Sequence, residues 1–236
     1  MIYLFCRRPS SGAADLVNQI NTLGGAAQRL RQDLCQVRPI DLVVNWGDTI
    51  PARLNLPNVL NRTIIHNKYR ELVQLAAAGV EVPRHELRAQ RPAAGDWLVR
   101  TFGHQEARDL RANLLRGDYI TEYIPTVREF RIHVFNGVSI RAGIKLPREE
   151  NPNPRFRSWN DGWRLDYGEA CQQAISQRIR DAAKAAVGAL GYDFGAVDVG
   201  VRNTGEPVVF EVNSAPGLEG RTIDVYAKAI IKKTNG

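Results

Sequence analysis

The chain has 236 residues, of which 44% are hydrophobic and 24% are charged, a mixture that excludes disordered and fibrous proteins. This length corresponds to one large domain or two small ones. The net charge of +7 predicts an anionic partner: nucleic acid, an anionic membrane, a polyphosphate or a carboxylate. Arginine supplies 26 of the 32 basic residues, which suits bidentate binding of phosphate or carboxylate but also follows from genome base composition.

The three cysteines, Cys6, Cys35 and Cys171, are odd in number and widely spaced. This pattern excludes a disulfide framework and a zinc site formed by neighbouring cysteines. The sequence contains no apolar run of about 18 residues, so we expect no transmembrane helix. Its short apolar start runs into Arg7 and Arg8 and is predicted to be a strand rather than a signal peptide. We therefore expect a cytoplasmic protein.

The first 65 residues are predicted to form a small βαβ-like domain. Buried strands are expected at Ile2–Phe5, Asp41–Asn45 and Val59–Asn61. Ser11 is expected to cap a helix that runs to about Leu23. The segment has no GxGxxG motif, so we interpret it as a supporting domain rather than a dinucleotide site.

The middle of the chain is predicted to contain a helix, several strands and a hairpin. Asn136-Gly137 between two alternating stretches is a strong hairpin signal. The predicted elements are the helix Lys68–Ala78, the strands Val80–Val82, Trp97–Thr101 and Asp118–Tyr123, and the hairpin strands Phe130–Phe135 and Val138–Lys145.

The last third is predicted to contain two helices and a second hairpin. A polar loop over Pro147–Asp161 comes first, and long loops of this kind are often functional. The predicted elements are the helix Glu169–Leu190, the hairpin strands Gly195–Val201 and Pro207–Val212, and the helix Thr222–Ile231.

The second hairpin carries three oxygen-bearing side chains. Glu211 and Asn213 are two residues apart on a strand, so they project from one face. Without a bulge, Asp198 lies opposite Glu211. Carboxylates this close repel each other unless a cation neutralises them, and hard oxygen ligands suit Mg²⁺. The alternative is a solvated edge hairpin, but a lone charge would be costly in the apolar stretch around Asp198.

These residues resemble the metal-binding end of the ATP-grasp superfamily, in particular carboxylate–amine ligases similar to ribosomal protein S6 glutamate ligase. The likeness rests on Ala196–Asp198, the stretch Glu211–Gly220 and the lysine-headed segment Asn67–Pro83, and covers about residues 65–225. It implies a mixed α/β (α+β) ATP-grasp fold, with two α+β lobes that sandwich a nucleotide after a small Rossmann-like domain. The implied boundaries are 1–65 for the N-terminal domain, 66–118 for the first lobe and 119–236 for the second lobe with the metal site.

The resemblance implies ATP and Mg²⁺ (or Mn²⁺) as ligands. Asp198, Glu211 and Asn213 match the ligands of one or two metal ions that bridge the ATP phosphates. Lys68 matches the first nucleotide-binding lysine, although alone it would be an ordinary helix residue. Arg100 occupies the place of a second lysine and can grip phosphate bidentately.

The same resemblance implies a nucleotide-binding hinge at Glu122, Tyr123 and Ile124, where a buried edge strand is the alternative for the last two residues. The family's flexible lid is rich in glycine, because backbone amides must approach the phosphates closely. Here the lid retains one glycine, so the side chains of His104 and Arg108 are candidates to replace backbone contacts.

Basic residues of the first hairpin match the family's catalytic positions. Arg131 corresponds to an arginine that faces the reacting carboxyl and phosphate. Arg141 and Lys145 share one face of the partner strand, and Lys145 is the preferred contact of the transferred phosphate. His133 shares a face with Arg131 and is either a base for the incoming amine or a hydrogen-bonded structural residue.

The implied function is an ATP- and Mg-dependent carboxylate–amine ligase that forms an amide or peptide bond through an acyl phosphate. Its partners would be ATP, a carboxylate and an amine acceptor, which a peptide or protein tail could supply, and the family also includes homo-oligomers. The alternatives are a phosphotransferase with a hydroxyl acceptor and a nucleotide-binding protein without turnover. A nucleic-acid-binding protein is disfavoured because basic and aromatic residues are not interleaved.

Overall fold

Three β-sheets and five α-helices form the part of the chain that the computed structural model describes, which is residues 1–32, 34, 36–51, 54–88, 95–103 and 117–235. Within these residues no helix has the length and apolar character needed to cross a membrane. Cys6 and Cys171 are free and buried, in agreement with the absence of a disulfide framework.

The N-terminal sheet has four parallel strands in the order β2-β1-β3-β4. Its elements are β1 (Ile2–Phe5), α1 (Ser11–Thr22), β2 (Ala27–Leu30), β3 (Leu42–Asn45) and β4 (Val59–Leu60). The sequence did not predict β2, because this edge strand buries only Leu30 and lacks a continuous apolar run. The predicted cap at Ser11 is wrong by one residue. Ser10 caps α1, and its hydroxyl accepts a hydrogen bond from the Ala13 amide at 3.2 Å.

The second sheet is antiparallel, with the order β5-β7-β6. Its segment of the chain contains α2 (Lys68–Ala77), β5 (His85–Leu87), β6 (Trp97–Arg100) and β7 (Tyr119–Glu122). The predicted strand at Val80–Val82 is wrong. Val80 and Val82 pack on the large core, and the Glu81 carbonyl accepts a bond from Val209 of another segment. The strand begins only after Pro83, which has no amide hydrogen to donate.

The third sheet has five antiparallel strands in the order β10-β9-β8-β11-β12. Its segment contains β8 (Arg128–Phe135), β9 (Val138–Pro147), β10 (Trp163–Asp166), α3 (Glu169–Ala174), α4 (Gln177–Ala189), β11 (Phe194–Val201), β12 (Pro207–Asn213) and α5 (Arg221–Asn235). The predicted turn at Asn136-Gly137 is confirmed. Both residues have positive φ, 47° and 72°, as a tight hairpin requires.

Three predictions for this segment need correction. The sequence did not predict β10, which adds an edge to the sheet, nor the short 3₁₀ helix Trp159–Asp161 inside the predicted loop. The helix predicted over Glu169–Leu190 is two helices, because Ile175 and Ser176 have extended backbone angles. The last helix is longer than predicted and runs from Arg221 to Asn235.

The main hydrophobic core lies between α4 and one face of the five-stranded sheet. Side chains alternate along the strands, so Ile132 and Val197 point into this core. Arg131, His133 and Asp198 therefore project from the opposite face. This alternation is what brings charged side chains together on one surface.

A second hydrophobic cluster joins the two ends of the chain. It contains Leu4 of β1 and Trp46 after β3, together with Phe194 of β11 and Tyr226 of α5. The Trp46 and Phe194 rings stack with centroids 5.3 Å apart. The last helix thus completes the packing of the first sheet.

Asn61 fastens the N-terminal sheet to the five-stranded sheet. It is fully buried and has a positive φ of 53°. Its side-chain oxygen accepts bonds from the amides of Asp193 and Phe194 at 2.8 and 3.1 Å, and its side-chain nitrogen donates to the Phe194 carbonyl at 2.9 Å. Removing this side chain would leave three buried backbone groups without partners.

We expect Asn61→Ala to lower the free energy of unfolding by about 3 kcal/mol or more, because buried polar groups lose their partners. Chemical denaturation measures the change. Asn136→Ala is the matched control, since Asn136 also has positive φ but is exposed in a turn. It should cost only about 1 kcal/mol of backbone strain. Equal losses in the two variants would contradict the role given to the Asn61 side chain.

His133 of β8 is a buried link to Tyr167, which follows β10, and to Tyr226 of α5. Its Nδ1 lies 3.1 Å from the Tyr226 hydroxyl and its Nε2 lies 2.9 Å from the Tyr167 hydroxyl. Burial lowers the pKa of His133 to about 3; Arg131 and Arg141 also lower it, while Asp198 acts in the opposite direction. The ring is therefore neutral near pH 7, which agrees with the structural interpretation of this residue.

We expect the free energy of unfolding to fall as the pH falls from about 6.5 toward 3, because the unfolded chain protonates His133 first. The slope from this residue should approach about 1.4 kcal/mol per pH unit. Denaturation between pH 7 and 5 tests it with two variants. His133→Gln should lose this slope, whereas Tyr226→Phe keeps a buried histidine and should retain it. A slope unchanged in His133→Gln would contradict the assignment.

Candidate functional site

The charged face of the five-stranded sheet is centred on Asp198. Asp198 of β11 lies opposite Arg131 of β8 on one side and opposite Glu211 of β12 on the other. Both pairings put the side chains on one face, because directly opposed residues point the same way. The predicted pairing of Asp198 with Glu211 is confirmed.

A β-bulge produces this pairing, so the expectation of an unbroken ladder is wrong. Next to the bulge Val199 lies opposite Val209, and the register shifts between Asp198 and Val199. Phe210 is the extra residue on β12, and its ring covers Gly200, where an added Cβ would lie 2.6 Å from a ring carbon. Without the bulge, Phe210 would stand opposite Asp198.

Beyond the bulge, the predicted common face of Glu211 and Asn213 is confirmed. The Asn213 side-chain nitrogen donates a hydrogen bond to Glu211 Oε1 at 2.8 Å. Asn213 lies opposite Ala196, which adds no charge to the patch. Two carboxylates and one amide therefore stand together at the end of this hairpin.

Asp198 is held by two cations. Arg131 donates two hydrogen bonds to its carboxylate, from Nε at 2.7 Å and from the terminal nitrogen at 2.9 Å. Lys145 Nζ lies 3.5 Å from the same carboxylate. Burial acts to raise the pKa of Asp198, but Arg131 and Lys145 outweigh it and hold the pKa well below its usual range. Asp198 is therefore an anion at every pH near neutral.

Glu129 is a member of this face that the sequence analysis missed. It accepts a hydrogen bond from Lys145 Nζ at 3.1 Å and another from the Thr126 hydroxyl at 3.1 Å. Arg157 Nε lies 3.7 Å from its second oxygen. Glu129 is two residues before Arg131 on a strand, and this spacing could have placed it on the same face.

Lys68, at the start of α2, contacts the hairpin formed by β11 and β12. Asn67 caps this helix by accepting a bond from the Arg70 amide at 3.1 Å. Lys68 Nζ donates to the Val212 carbonyl at 3.1 Å and lies 4.0 Å from Glu211. The structure thus brings the predicted phosphate-binding lysine to the predicted metal residues.

Glu71 is a second member that the sequence analysis missed. One of its oxygens lies 3.2 Å from Lys68 Nζ, and the other accepts a bond from the Val212 amide at 2.9 Å. Burial acts to lower the pKa of Lys68, but the charges of Glu71 and Glu211 outweigh it and raise the pKa. The spacing of three residues between Lys68 and Glu71 on a helix was the available signal.

The third predicted catalytic residue, Arg141, lies on this face but forms no ion pair with Asp198 among the described residues. It is opposite His133, and its guanidinium stands 5.1 Å from the centre of the Tyr167 ring. Its Nε is buried and has no hydrogen-bond partner among the described residues. The Tyr167 ring fits over Gly143, where an added Cβ would lie 2.7 Å from it.

Two of the predicted hinge residues, Glu122 and Tyr123, contact arginine side chains. Glu122 accepts two hydrogen bonds from Arg84, at 2.9 and 3.1 Å, and Arg84 lowers the pKa of Glu122. The Tyr123 ring lies 4.2 Å beneath the guanidinium of Arg155, and Ile124 is buried.

The remaining predicted nucleotide-binding residues are Arg100 and the lid residues His104 and Arg108. Arg100 Nε donates to the Thr121 hydroxyl at 3.1 Å on the second sheet. The chain that follows β6 returns to α2, where the Lys68 amide donates to the Phe102 carbonyl at 2.9 Å. The lid residues His104 and Arg108 lie outside the described part of the chain.

Four acidic and four basic side chains on this face and on the segments next to it form what we call the ionic cluster. Each acid in it has a basic neighbour, so the cluster is electrically balanced. Its members are Glu71, Glu129, Asp198, Glu211, Lys68, Arg131, Lys145 and Arg157.

The oxygen groups at the hairpin end fit Mg²⁺. In the described ranges no group of three or more His, Cys, Asp and Glu side chains could hold a metal. The candidate set is instead two carboxylates, Asp198 and Glu211, with the Asn213 amide. Mg²⁺ typically takes one or two carboxylates and completes its shell with phosphate oxygens and water. A set of this size therefore suits an ion that arrives with a phosphate ligand.

Comparisons with known proteins agree with this architecture. No family model and no curated protein matches the sequence. Similar solved structures include the ATP-grasp ligase PsnB, with 17% identity, 98% coverage of both chains and a TM-score of 0.69. D-Alanine–D-alanine ligase from Bacillus anthracis is 16% identical over 99% of this chain and 97% of its own, with a TM-score of 0.65.

A RimK domain ATP-grasp protein from Sphaerobacter thermophilus is also similar. It is 16% identical over 100% of this chain and 99% of its own, with a TM-score of 0.64. Such identities are too low to transfer an activity, but the similarity extends over nearly the whole of each chain. The described strands and helices and these neighbours agree with the fold expected from the hairpin motif. The chain has the ATP-grasp fold and resembles the RimK-like ligases that share it.

Proposed function

We propose that the protein is an ATP- and Mg²⁺-dependent carboxylate–amine ligase that forms an amide or peptide bond through an acyl phosphate and releases ADP. The observation that carries the proposal is the ionic cluster, in which cations and oxygen ligands alternate on one face of the five-stranded sheet and at the start of α2 beside it. Mg-ATP presents the same alternation of charge, since a metal cation sits among phosphate oxygens.

In this proposal the metal is held by Asp198, Glu211 and Asn213. A bound Mg²⁺ supplies neutralisation of the phosphate charge that develops during transfer. Lys68 and Arg100 bind phosphate oxygens, and His104 and Arg108 belong to the lid. The short distance of Lys68 from Glu211, 4.0 Å, supports a common site for phosphate and metal.

The nucleotide lies between the lobes 66–118 and 119–236, with domain 1–65 beside them. Glu122, Tyr123 and Ile124 form the hinge that holds the adenine and ribose. Glu122 is partly exposed and pairs with a more exposed Arg84, so it can exchange this partner for a ligand hydroxyl at small cost.

The reaction requires two displacement steps. A substrate carboxylate attacks the γ-phosphorus of ATP, and ADP leaves as the acyl phosphate forms. An amine then attacks the acyl carbon, phosphate leaves, and the nitrogen loses a proton as the amide forms. Arg131 and Lys145, with Arg141 beside them, stabilise negative charge on the transferring group. Burial acts against the charged form of Arg131, but Asp198 outweighs it and raises the pKa, so Arg131 is a cation before the ligands bind.

Peptide substrates are part of the proposal because of the solved neighbours. PsnB structures hold a minimal precursor with Mg and ADP, or the precursor peptide PsnA2 with AMPPNP. The macrocyclase MdnC from Microcystis aeruginosa holds the precursor peptide MdnA. We therefore propose a peptide or protein tail as one source of the carboxylate or the amine.

We expect Glu211→Gln to weaken binding of Mg-AMPPNP by about tenfold or more, because one of two carboxylates at the metal is lost. Calorimetric titration with and without Mg²⁺ measures this. Asp198→Asn should act in the same direction, and it should also lower stability because Arg131 and Lys145 lose their buried counterion.

Glu206→Gln is the matched control, since Glu206 lies at the turn of the same hairpin and pairs with the exposed Arg178. It should bind Mg-AMPPNP as the unchanged protein does. Unaltered affinity in folded Glu211→Gln and Asp198→Asn would show that the metal assignment is wrong.

We expect sustained ADP release to require both a carboxylate and an amine, because the carboxylate displaces ADP in the first step and the amine removes the acyl phosphate before the next turnover. Hydroxylamine is a small nucleophile that converts an acyl phosphate into a hydroxamate. Incubation of the protein with Mg-ATP, hydroxylamine and a panel of amino acids and peptides should therefore yield a hydroxamate and an equal amount of ADP. A phosphate ester in place of the hydroxamate would identify a phosphotransferase, and nucleotide binding without ADP would identify a non-catalytic protein.

A further inference from the structure

A cavity of about 510 Å³ lies at the carboxyl ends of β1 and β3, and no member of the ionic cluster lines it. Arg7 and Arg8 follow β1, and Asp48 belongs to the loop after β3. His66 and Ala215 form the opposite wall. Open α/β sheets typically bind ligands at the carboxyl ends of their strands, and volumes of this size accommodate small organic molecules.

The cavity adjoins the candidate phosphate and metal site. Ala215 follows Asn213 by two residues, and His66 precedes Lys68 by two, so each pair of Cα atoms lies within about 7.6 Å. Gly47 packs closely against Ala215, since a Cβ added at Gly47 would lie 2.6 Å from the Ala215 Cβ. A molecule in the cavity is therefore close both to the candidate metal ligand Asn213 and to the candidate phosphate-binding residue Lys68.

The charge of the lining favours one anionic group. Neither Arg7 nor Arg8 forms an ion pair with any residue in the described ranges, and both are exposed. The Arg7 guanidinium rests 5.4 Å from the centre of the Phe5 ring, and its amide donates to Asp48 at 2.6 Å. Two arginines and one aspartate leave a charge of one, which matches a carboxylate better than a doubly charged phosphate.

The other polar groups of the lining support this choice. Ser10, which caps α1, lines the cavity, so the positive end of this helix faces the same space. The Thr49 hydroxyl and His66 Nε2 are 2.9 Å apart on the opposite side. These groups can orient a small polar ligand, while the two guanidinium groups provide the charge.

We propose that this cavity binds a substrate carboxylate other than the one consumed in the reaction, held by Arg7 and Arg8. The substrate class is thus an acidic molecule, a dicarboxylate or an amino acid, whose reacting group extends toward Lys68 and Asn213. The orientation of the reacting group rests on the proposed ligase function. The negative charge of the bound molecule rests on the lining of the cavity alone.

The test is an amide chemical-shift titration of the full-length chain with glutarate, L-glutamate, glutaramide and inorganic phosphate as probes. Glutarate or L-glutamate should give saturable shifts at the amides of Arg7, Gly47 and Ala215, and glutaramide, which has no charge, should not. The double variant Arg7→Gln/Arg8→Gln should weaken this binding by about tenfold or more. Arg221→Gln, in the shallow groove between α1 and α5, is the matched control and should bind as the unchanged protein does.

Three outcomes would overturn the inference: no saturable shift with either acid, equal binding by the double variant, or a stronger response to phosphate than to the acids. Two variants separate a failure of this inference from a failure of the ligase proposal, because each should lose only one kind of binding. Glu211→Gln should keep acid binding at the cavity and lose affinity for Mg-AMPPNP, whereas the folded double variant should do the reverse. Far-UV circular dichroism confirms folding of each variant.

Discussion

A carboxylate on a strand as apolar as β11 needs a cation, and Asp198 meets Arg131 directly across the sheet. The pair contributes two short hydrogen bonds, and Lys145 approaches from the next strand. An unpaired charge here would be strongly unfavourable, so the pair fixes both side chains on the face away from the main core. The remaining acids and bases of the ionic cluster extend outward from this contact.

The balance of the ionic cluster suits exchange of partners. Without a ligand, lysines and arginines neutralise the carboxylates. In the function that we propose, the cations turn to the phosphates of Mg-ATP and the carboxylates turn to the metal. Because the groups are already ordered and largely desolvated, a ligand of alternating charge meets a prepared surface. Burial acts to lower the pKa of Lys68, but the charges of Glu71 and Glu211 raise it and keep Lys68 charged.

Local signals predicted the parts of the fold that depend on local chemistry. Asn136-Gly137 predicted the first hairpin and the turn Asn203-Thr204-Gly205 predicted the second, because turn geometry and strand alternation depend on adjacent residues. The bulge at Phe210 was not predictable, because it depends on the space above Gly200. Edge strand β2 lacks an apolar run, and the roles of Glu71 and Glu129 follow from contacts with distant segments.

The cluster that joins Leu4 with Tyr226 also bears on how the chain folds. These residues are about 220 positions apart, and contacts between remote positions form late because a long loop must close first. The first sheet is synthesised first, but the cluster that contains Leu4 is complete only when α5 packs against α1. We therefore expect the N-terminal sheet to gain its full protection against hydrogen exchange at the last stage of folding, together with the C-terminal helix.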